Sequence, residues 1–277
     1  MSTIEKLPMP EYLAHPAVSR SDLWTIYKRN PYFYRWRKLH GSHEATSALT
    51  YGSAIHEAIL EPEHFQGRWG AYDGRRDTRT KAYQEWLLDN GLEHERVLTM
   101  TEWALLKATV ERVRSLPGPS ILLESGHAER TVFFTDAETQ IECKARFDFI
   151  DPERGIGVDL KTTADITPDG LAKSFAQHGY AVQAVHYMEA MASLKGTTID
   201  WNDPETFQPF FFLCVSKEEP IEVALFQLDA VDLQKAAAIR RTALKTLAEC
   251  RSKDSWPGIS HEIQKLSLPK WWAPEVA

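Results

Sequence analysis

The residues most able to do chemistry are Arg146-Phe147-Asp148, followed eleven positions later by Asp159-Leu160-Lys161. If the intervening residues form a hairpin, Asp148 lies near the end of one strand and Asp159 on its partner, and the two carboxylates converge. Lys161, two residues beyond Asp159, projects from the same face. Two hard oxygen ligands side by side suit Mg²⁺ or Mn²⁺. An ammonium beside them can position an attacking water or help to deprotonate it, and it offsets phosphate charge. These are the needs of phosphodiester hydrolysis. The competing reading is an Asp159–Lys161 ion pair on a solvated hairpin. Against it, Gly157-Val158-Asp159-Leu160 continues an apolar strand.

The neighbouring pattern supplies that hairpin. Ile141 to Ile150 alternates, with Ile141, Cys143, Ala145, Phe147 and Phe149 on one face and Glu142, Lys144, Arg146 and Asp148 on the other. Thr131 to Thr135 is a β-rich run before it. The turn residues Asp151 to Gly155 lead into a third strand, Ile156 to Thr162.

Upstream the chain reads as helical. Ser19 or Ser21 caps a helix through Tyr27, Asn30-Pro31 breaks it, and Tyr32 to Leu39 resumes it. Further helices are expected over Thr50–Leu60, Thr80–Asp89 and Thr101–Ser115, the last with Thr101 and Glu102 as cap and first turn and Leu116-Pro117-Gly118-Pro119 as its end. Downstream, Thr167 or Asp169 opens one long helix through Lys195. Phe210–Val215 and Ile221–Gln227 pair as a hairpin, and Ala230–Cys250 closes the chain. This order predicts an α/β (α+β) protein, read as one domain over 1–277: a helical part over 1–128, then a catalytic sheet core with C-terminal helices over 129–277.

Composition narrows the function. Apolar residues are 43% of 277 and aromatics 11%, with only 14 Gly and 15 Pro, which excludes disordered, low-complexity and collagen-like chains. No apolar run approaches the ~20 residues that cross a bilayer. The first ten residues contain Glu5, Pro8 and Pro10 rather than an apolar signal core. The expectation is a cytoplasmic protein with no membrane partner. Cys143, Cys214 and Cys250 are scattered, with no Cys-x-x-Cys pair, so a disulfide framework, a structural zinc and a cysteine-bound cluster are all disfavoured. The net charge of −7 gives no global field for nucleic acid.

Several segments together carry a resemblance. Asp148 with Asp159-Leu160-Lys161 matches the PD-(D/E)XK nuclease motif. Ser19-Arg-Ser21-Asp-Leu23 with Asn30-Pro31-Tyr32, Tyr51-Gly52-Ser-Ala-Ile-His56 with Leu60-Glu61-Pro62, Lys144-Ala-Arg146-Phe-Asp148, Val158 to Thr163, Gly179-Tyr180 with Gln183 and Tyr187, and Leu268-Pro269-Lys270-Trp271 follow in order. Taken together the chain resembles the exodeoxyribonuclease VIII (RecE-type) exonucleases of phage and prophage recombination. The resemblance implies a restriction-endonuclease-like core, an α-β-β-β-α-β-β mixed sheet flanked by helices. It implies a Mg²⁺-dependent exonuclease on double-stranded DNA ends, digesting 5′→3′ by a two-metal route, with Mn²⁺ able to substitute. It also implies a ring-like homo-oligomer and a single-strand annealing recombinase as partner.

The resemblance further implies roles for single residues. His56 and the Leu160 carbonyl join Asp148 and Asp159 as metal ligands. On its own, His56 reads more readily as a packed or surface histidine than as a ligand. Glu129 completes the catalytic set, although Arg130 offers it an ion pair and Glu124 is a competitor. Gln183 stands beside the site and Tyr187, four residues on and on the same helix face, supports the DNA backbone or merely packs. Glu57 points about 100° away from His56.

DNA contacts need local positive charge. Arg20, Lys28, Arg29, Arg35, Arg37 and Lys38 interleave with Trp24, Tyr27, Tyr32, Phe33, Tyr34 and Trp36. Arg75, Arg76 and Arg79 form a second cluster in a loop, read as clamping DNA near the cleft, and Arg146 is a third candidate contact. Two other classes compete with the exonuclease: an endonuclease, or a nuclease with a cysteine-bound cluster, on the same core; and a non-catalytic DNA-binding module. The last is disfavoured because every expected site position is filled.

Overall fold

The computed structural model describes residues 2–41, 48–260 and 262–268. Met1 and Pro269-Lys270-Trp271 of the segments read above lie outside the described residues. In chain order the elements are β1 (Thr3–Glu5), α1 (Met9–Ala14), α2 (Arg20–Lys28), α3 (Pro31–His40), α4 (Ala48–Leu60), α5 (Pro62–Phe65), β2 (Gly70–Tyr72), α6 (Lys81–Asn90), β3 (Val97–Thr99), α7 (Met100–Ser115) and α8 (Pro117–Leu122). There follow β4 (His127–Thr135), β5 (Glu142–Asp151), β6 (Ile156–Thr163), α9 (Pro168–His178), α10 (Tyr180–Leu194), β7 (Phe210–Ser216), β8 (Val223–Phe226) and α11 (Ala230–Lys253).

Six strands form one sheet in the order β1-β4-β5-β6-β7-β8. Every neighbouring pair is antiparallel except β6 and β7, which are parallel. A parallel pair needs a crossover, and α9 and α10 provide it. Apolar cores form on both faces. On one, α2, α10 and α11 pack Leu23, Val185, Met188 and Leu244 against Val132, Cys143, Ala145 and Phe212. On the other, α4 and α7 pack Ile55, Ala58 and Leu106 against Phe149, Val158, Leu160 and Leu213. β7 sends Phe212 and Cys214 to the first and Leu213 and Val215 to the second, which is why its sequence is apolar without interruption.

Four expectations need correction. The stretch before residue 128 is not purely helical: β1 adds an edge strand to the main sheet, and β2 with β3 forms a separate parallel ladder. Three-residue strands are too short to show an alternation. The long helix to Lys195 is two helices. Gly179, at φ +67, caps α9, and a Cβ there would sit 2.5 Å from the Trp24 ring. The cap of α7 is Thr99, whose Oγ1 accepts from the Glu102 N–H at 3.1 Å while Glu102 Oε2 accepts from the Thr99 N–H at 2.7 Å. Leu116-Pro117-Gly118-Pro119 does end α7, but α8 starts at Pro117.

The alternation of the central hairpin is also broken. Cys143, Ala145 and Phe147 face the first core, but Phe149 faces the second and Ile150 the first. Phe147 and Phe149 therefore do not share a face. Lys144, expected on a solvated face, is 2% exposed and donates to the carbonyls of Tyr12 and His15. Burial pushes its ammonium down to about 8.

Candidate active site

The break in alternation builds the site. In the β4–β5 ladder, Ala128 pairs with Phe149 and Arg130 with Phe147, but the pair between them, Glu129 opposite Asp148, is missing. Glu129 has φ +52, a left-handed conformation costly for a residue with a side chain. Both carboxylates therefore stand where the regular pairing lapses.

On the other side, β5 and β6 pair only from Phe149–Val158 to Asp151–Ile156 and then separate. Val18 bridges to Cys143 further along β5, and β6 continues against β7. Asp148 and Asp159 stand at the fork. The Leu160 N–H, which has no strand partner on that side, donates to Asp148 Oδ2 at 2.8 Å. The fork thus brings the two carboxylates and Lys161 together.

Lys161 Nζ lies 2.5 Å from Asp159 Oδ2, 3.4 Å from Gln183 Oε1 and 4.1 Å from the centre of the Tyr180 ring. The Gln183 Nε2 donates to Asp159 Oδ1. Its Oε1 also accepts from Arg20 Nη2 at 3.0 Å, and Arg20 Nη1 donates to the His178 carbonyl. Those two donors fix which way the Gln183 amide points. On α4, His56 Nδ1 is 3.6 Å from Asp148 Oδ2. Gly52, one turn earlier on α4, lies against Thr162 on β6: a Cβ there would make an ordinary contact, 3.6 Å from the Thr162 hydroxyl.

Arg146 is held by Glu129, with Nε and Nη2 at 2.8 and 2.7 Å from Oε2, and by the Leu7 carbonyl. Tyr187 donates to the Arg146 carbonyl at 2.7 Å and packs on Phe147 and Phe210. It anchors β5 beside Asp148.

The electrostatics are strained. Burial, reinforced by the Asp159 charge, pushes the Asp148 carboxyl up to about 7. Burial and the Asp148 charge likewise raise Glu129. Burial lowers His56, against the pull of Asp159, and leaves a neutral imidazole. Lys161 is opposed by burial, but Asp159 and Asp148 outweigh it and hold the ammonium above its ordinary value. Asp159 Oδ2 is buried and, apart from the Lys161 ion pair, has no hydrogen-bond partner. Among the described residues no group of three His, Cys, Asp or Glu side chains is already closed to ligand distance, since Lys161 and Gln183 hold Asp159 and Arg146 holds Glu129. The donor set nonetheless fits a hard divalent cation: crowded, under-neutralised carboxylates, a neutral imidazole and a backbone carbonyl.

The site opens on a cleft of about 1360 Å³, lined by His56, Glu129, Arg146, Asp148, Thr162 and Tyr187 among others. Arg75, Arg76 and Arg79 are not part of that lining. Arg75 and Arg79 pair with Asp77, and Arg76 reaches the Val97 carbonyl and Glu102. Several N-terminal cations are engaged at the surface as well: Lys38 pairs with Asp22, Arg35 with Asp254, and Arg29 stacks on Phe33. Sequence reading missed the Arg20–Gln183 link and the Tyr180 ring under Lys161, and it passed over Glu57. The Gly179-Tyr180 pair was the available signal for the second.

A sequence model described as the PDDEXK-like domain of unknown function (DUF3799) matches residues 33–269. The crystal structure of the Eubacterium rectale protein named "Putative exonuclease" is similar with a TM-score of 0.59 at 18% identity, covering 96% of this chain and 97% of that one. That likeness is one of fold. A phage related exonuclease from Haemophilus somnus 129PT gives a TM-score of 0.34 at 14% identity, over 87% and 97% of the two chains, which is too loose to carry an argument. No curated protein matches the sequence. Among the described residues no helix is long and apolar enough to cross a membrane.

Proposed function

The chain belongs to the PDDEXK-like domain family, and from that premise we propose that it is a metal-dependent deoxyribonuclease, an exonuclease degrading double-stranded DNA from an end. The observation that carries the reading is the fork of β5 and β6. It sets Asp148, Asp159 and a protonated Lys161 side by side, with Asp148 on the wall of the cleft of about 1360 Å³.

Asp148, Asp159, His56 and the Leu160 carbonyl would hold Mg²⁺ or Mn²⁺, which when bound supplies positive charge at the phosphate and acidifies water. The chain's own groups do the rest. Lys161 keeps its proton, so its Nζ donates to an oxygen of the phosphate or the nucleophile rather than abstracting from it. Gln183 keeps Asp159 turned into the site, and Arg146 does the same for Glu129. Neutral His56 can act as a ligand without first losing a proton.

The finer reading is 5′→3′ digestion in phage or prophage recombination, by a ring-like homo-oligomer beside a single-strand annealing recombinase. The resemblance of the N-terminal and catalytic segments supports it. The Arg75–Arg79 loop would meet DNA only beyond the cleft. The test is nick-free closed circular duplex beside the same DNA cut once, each with Mg²⁺ or EDTA. We expect the linear form alone to be degraded, and only with Mg²⁺. Linearisation of the closed circle would replace the exonuclease by an endonuclease, and full activity in EDTA would remove the metal.

A further inference from the structure

One set of charged side chains on the same cleft is not used by this chemistry. Glu57 follows His56 on α4 and so points elsewhere around the helix. Its Oε1 accepts from Arg68 Nη1 at 2.9 Å, and its Oε2 accepts from Trp69 Nε1 at 2.9 Å and from Arg96 Nη1 at 2.5 Å. Three donors from two separate segments thus converge on one carboxylate, which is 13% exposed. The Arg96 guanidinium also lies 5.0 Å over the Trp69 ring.

We propose that Arg68 and Arg96, locked side by side by Glu57, are a phosphate-binding pair that grips the DNA backbone in the cleft. The proposal rests on the nuclease reading and adds where the substrate is held. Glu57, Arg68, Trp69 and Arg96 all line the cleft that His56 and Asp148 line. The two arginine side chains are 54% and 35% exposed. Each guanidinium carries five N–H donors in a planar fork. Among the described residues, neither has an acceptor other than Glu57. One carboxylate cannot neutralise two guanidinium groups. Glu95 lines the same wall but pairs with neither. What remains is a cation with unfilled donors, already ordered by its buried partner, so little side-chain entropy is lost when an anion arrives. A phosphodiester is the anion that a pair of planar forks recognises best.

The alternative is that the cluster is only a structural brace between α4 and the segments carrying Arg68 and Arg96. Salt dependence separates the two. Binding of a fluorescein-labelled linear duplex to the full chain would be followed by anisotropy in EDTA from 50 to 300 mM KCl. The variants are Arg68→Gln, Arg96→Gln, the double variant, and Arg96→Lys. Each lost phosphate contact lowers the slope of log K against log salt by about 0.9. The double variant should therefore bind more weakly with a slope shallower by about 2 and each Gln single by about 1, whereas Arg96→Lys should keep the wild-type slope, because the charge stays, but bind more weakly, because the planar fork is lost. In Mg²⁺, KM should rise while kcat at saturating DNA holds. A folded Arg68→Gln or double variant with an unchanged slope overturns the proposal and leaves the nuclease reading standing. A wild-type chain that neither binds nor cuts DNA overturns both.

Discussion

Replacing Asp148 by Asn should abolish cleavage and, in the metal-free protein, raise stability. The Asp148 carboxyl is pushed up to about 7 by burial and by the Asp159 charge beside it, from an ordinary 3.8. The folded state therefore keeps a proton that the unfolded state has released. Between pH 4 and 7 the native protein binds more protons, so its stability falls as pH rises through that window, and the loss is complete above about 7. At 1.36 kcal/mol per pH unit the full effect is roughly 4 kcal/mol. Asn carries no charge to repel Asp159, and its oxygen can still accept from the Leu160 N–H. That hydrogen bond is weaker without the charge, and the amide N–H₂ needs an acceptor, which offsets about 1–2 kcal/mol. About 2 kcal/mol of net gain at pH 8 remains, or roughly 4–8 °C in melting temperature for a chain of this size. Thermal melts by circular dichroism in EDTA at pH 5 and 8 measure it. The gap between variant and wild type should widen from pH 5 to 8, by roughly 2–3 kcal/mol, and Mg²⁺ should raise the wild type alone. An Asp148→Asn protein that melts at or below wild type at pH 8, with native helix content, would refute the claim that these carboxylates repel.

Two further outcomes follow from the same geometry. Lys161→Met should cost about 3–5 kcal/mol by stranding the buried Asp159 and should slow cleavage at least ~10²-fold; adding Asp159→Asn should restore stability but not activity, and a single variant that cuts at the wild-type rate would sink the role of Lys161. Gly179→Ala should cost roughly 2–4 kcal/mol, from the left-handed backbone and the Trp24 contact, and should also lower kcat because the Gln183 N–H donates to the Gly179 carbonyl at 3.1 Å; a variant of normal stability in urea titration would contradict it.

That Asp148, Asp159 and Lys161 meet was legible because the grouping is local. Asp148, Asp159 and Lys161 fall on two consecutive strands joined by the four residues 152–155, and the register Phe149–Val158 carries Asp148 toward Asp159 where the strands fork. Strand and helix positions followed the apolar periods for the same reason. What escaped depends on partners far along the chain. Lys144 reads as a surface lysine until Tyr12 and His15 bring their carbonyls to it. The split between α9 and α10 is written in Gly179, but the Trp24 ring that enforces it comes from α2. Nothing in the alternation of residues 141–150 announces that it reverses at Asp148, because the reversal is made jointly with Glu129 on the neighbouring strand. Glu57 looked idle because its three donors lie 11 to 39 residues away.

Under the proposed function, these long-range contacts account for how an acidic chain could receive DNA in this cleft. The site itself carries three carboxylates, Glu129, Asp148 and Asp159, against two cations, Arg146 and Lys161, all near one another. Fully ionised, that centre is negative, and a phosphodiester would add to it. The Asp159 charge that, after burial, helps Asp148 hold its proton also opposes DNA at the bare site and weakens its binding there. A divalent cation relieves both at once, so metal and DNA binding are coupled with one sign. Cations that approached the carboxylates more closely would quench them and abolish the ligand set. Positive charge for the substrate therefore has to sit elsewhere on the cleft wall, and the Arg68–Arg96 pair, with its own carboxylate to hold it in place, meets that requirement without neutralising Asp148 or Asp159.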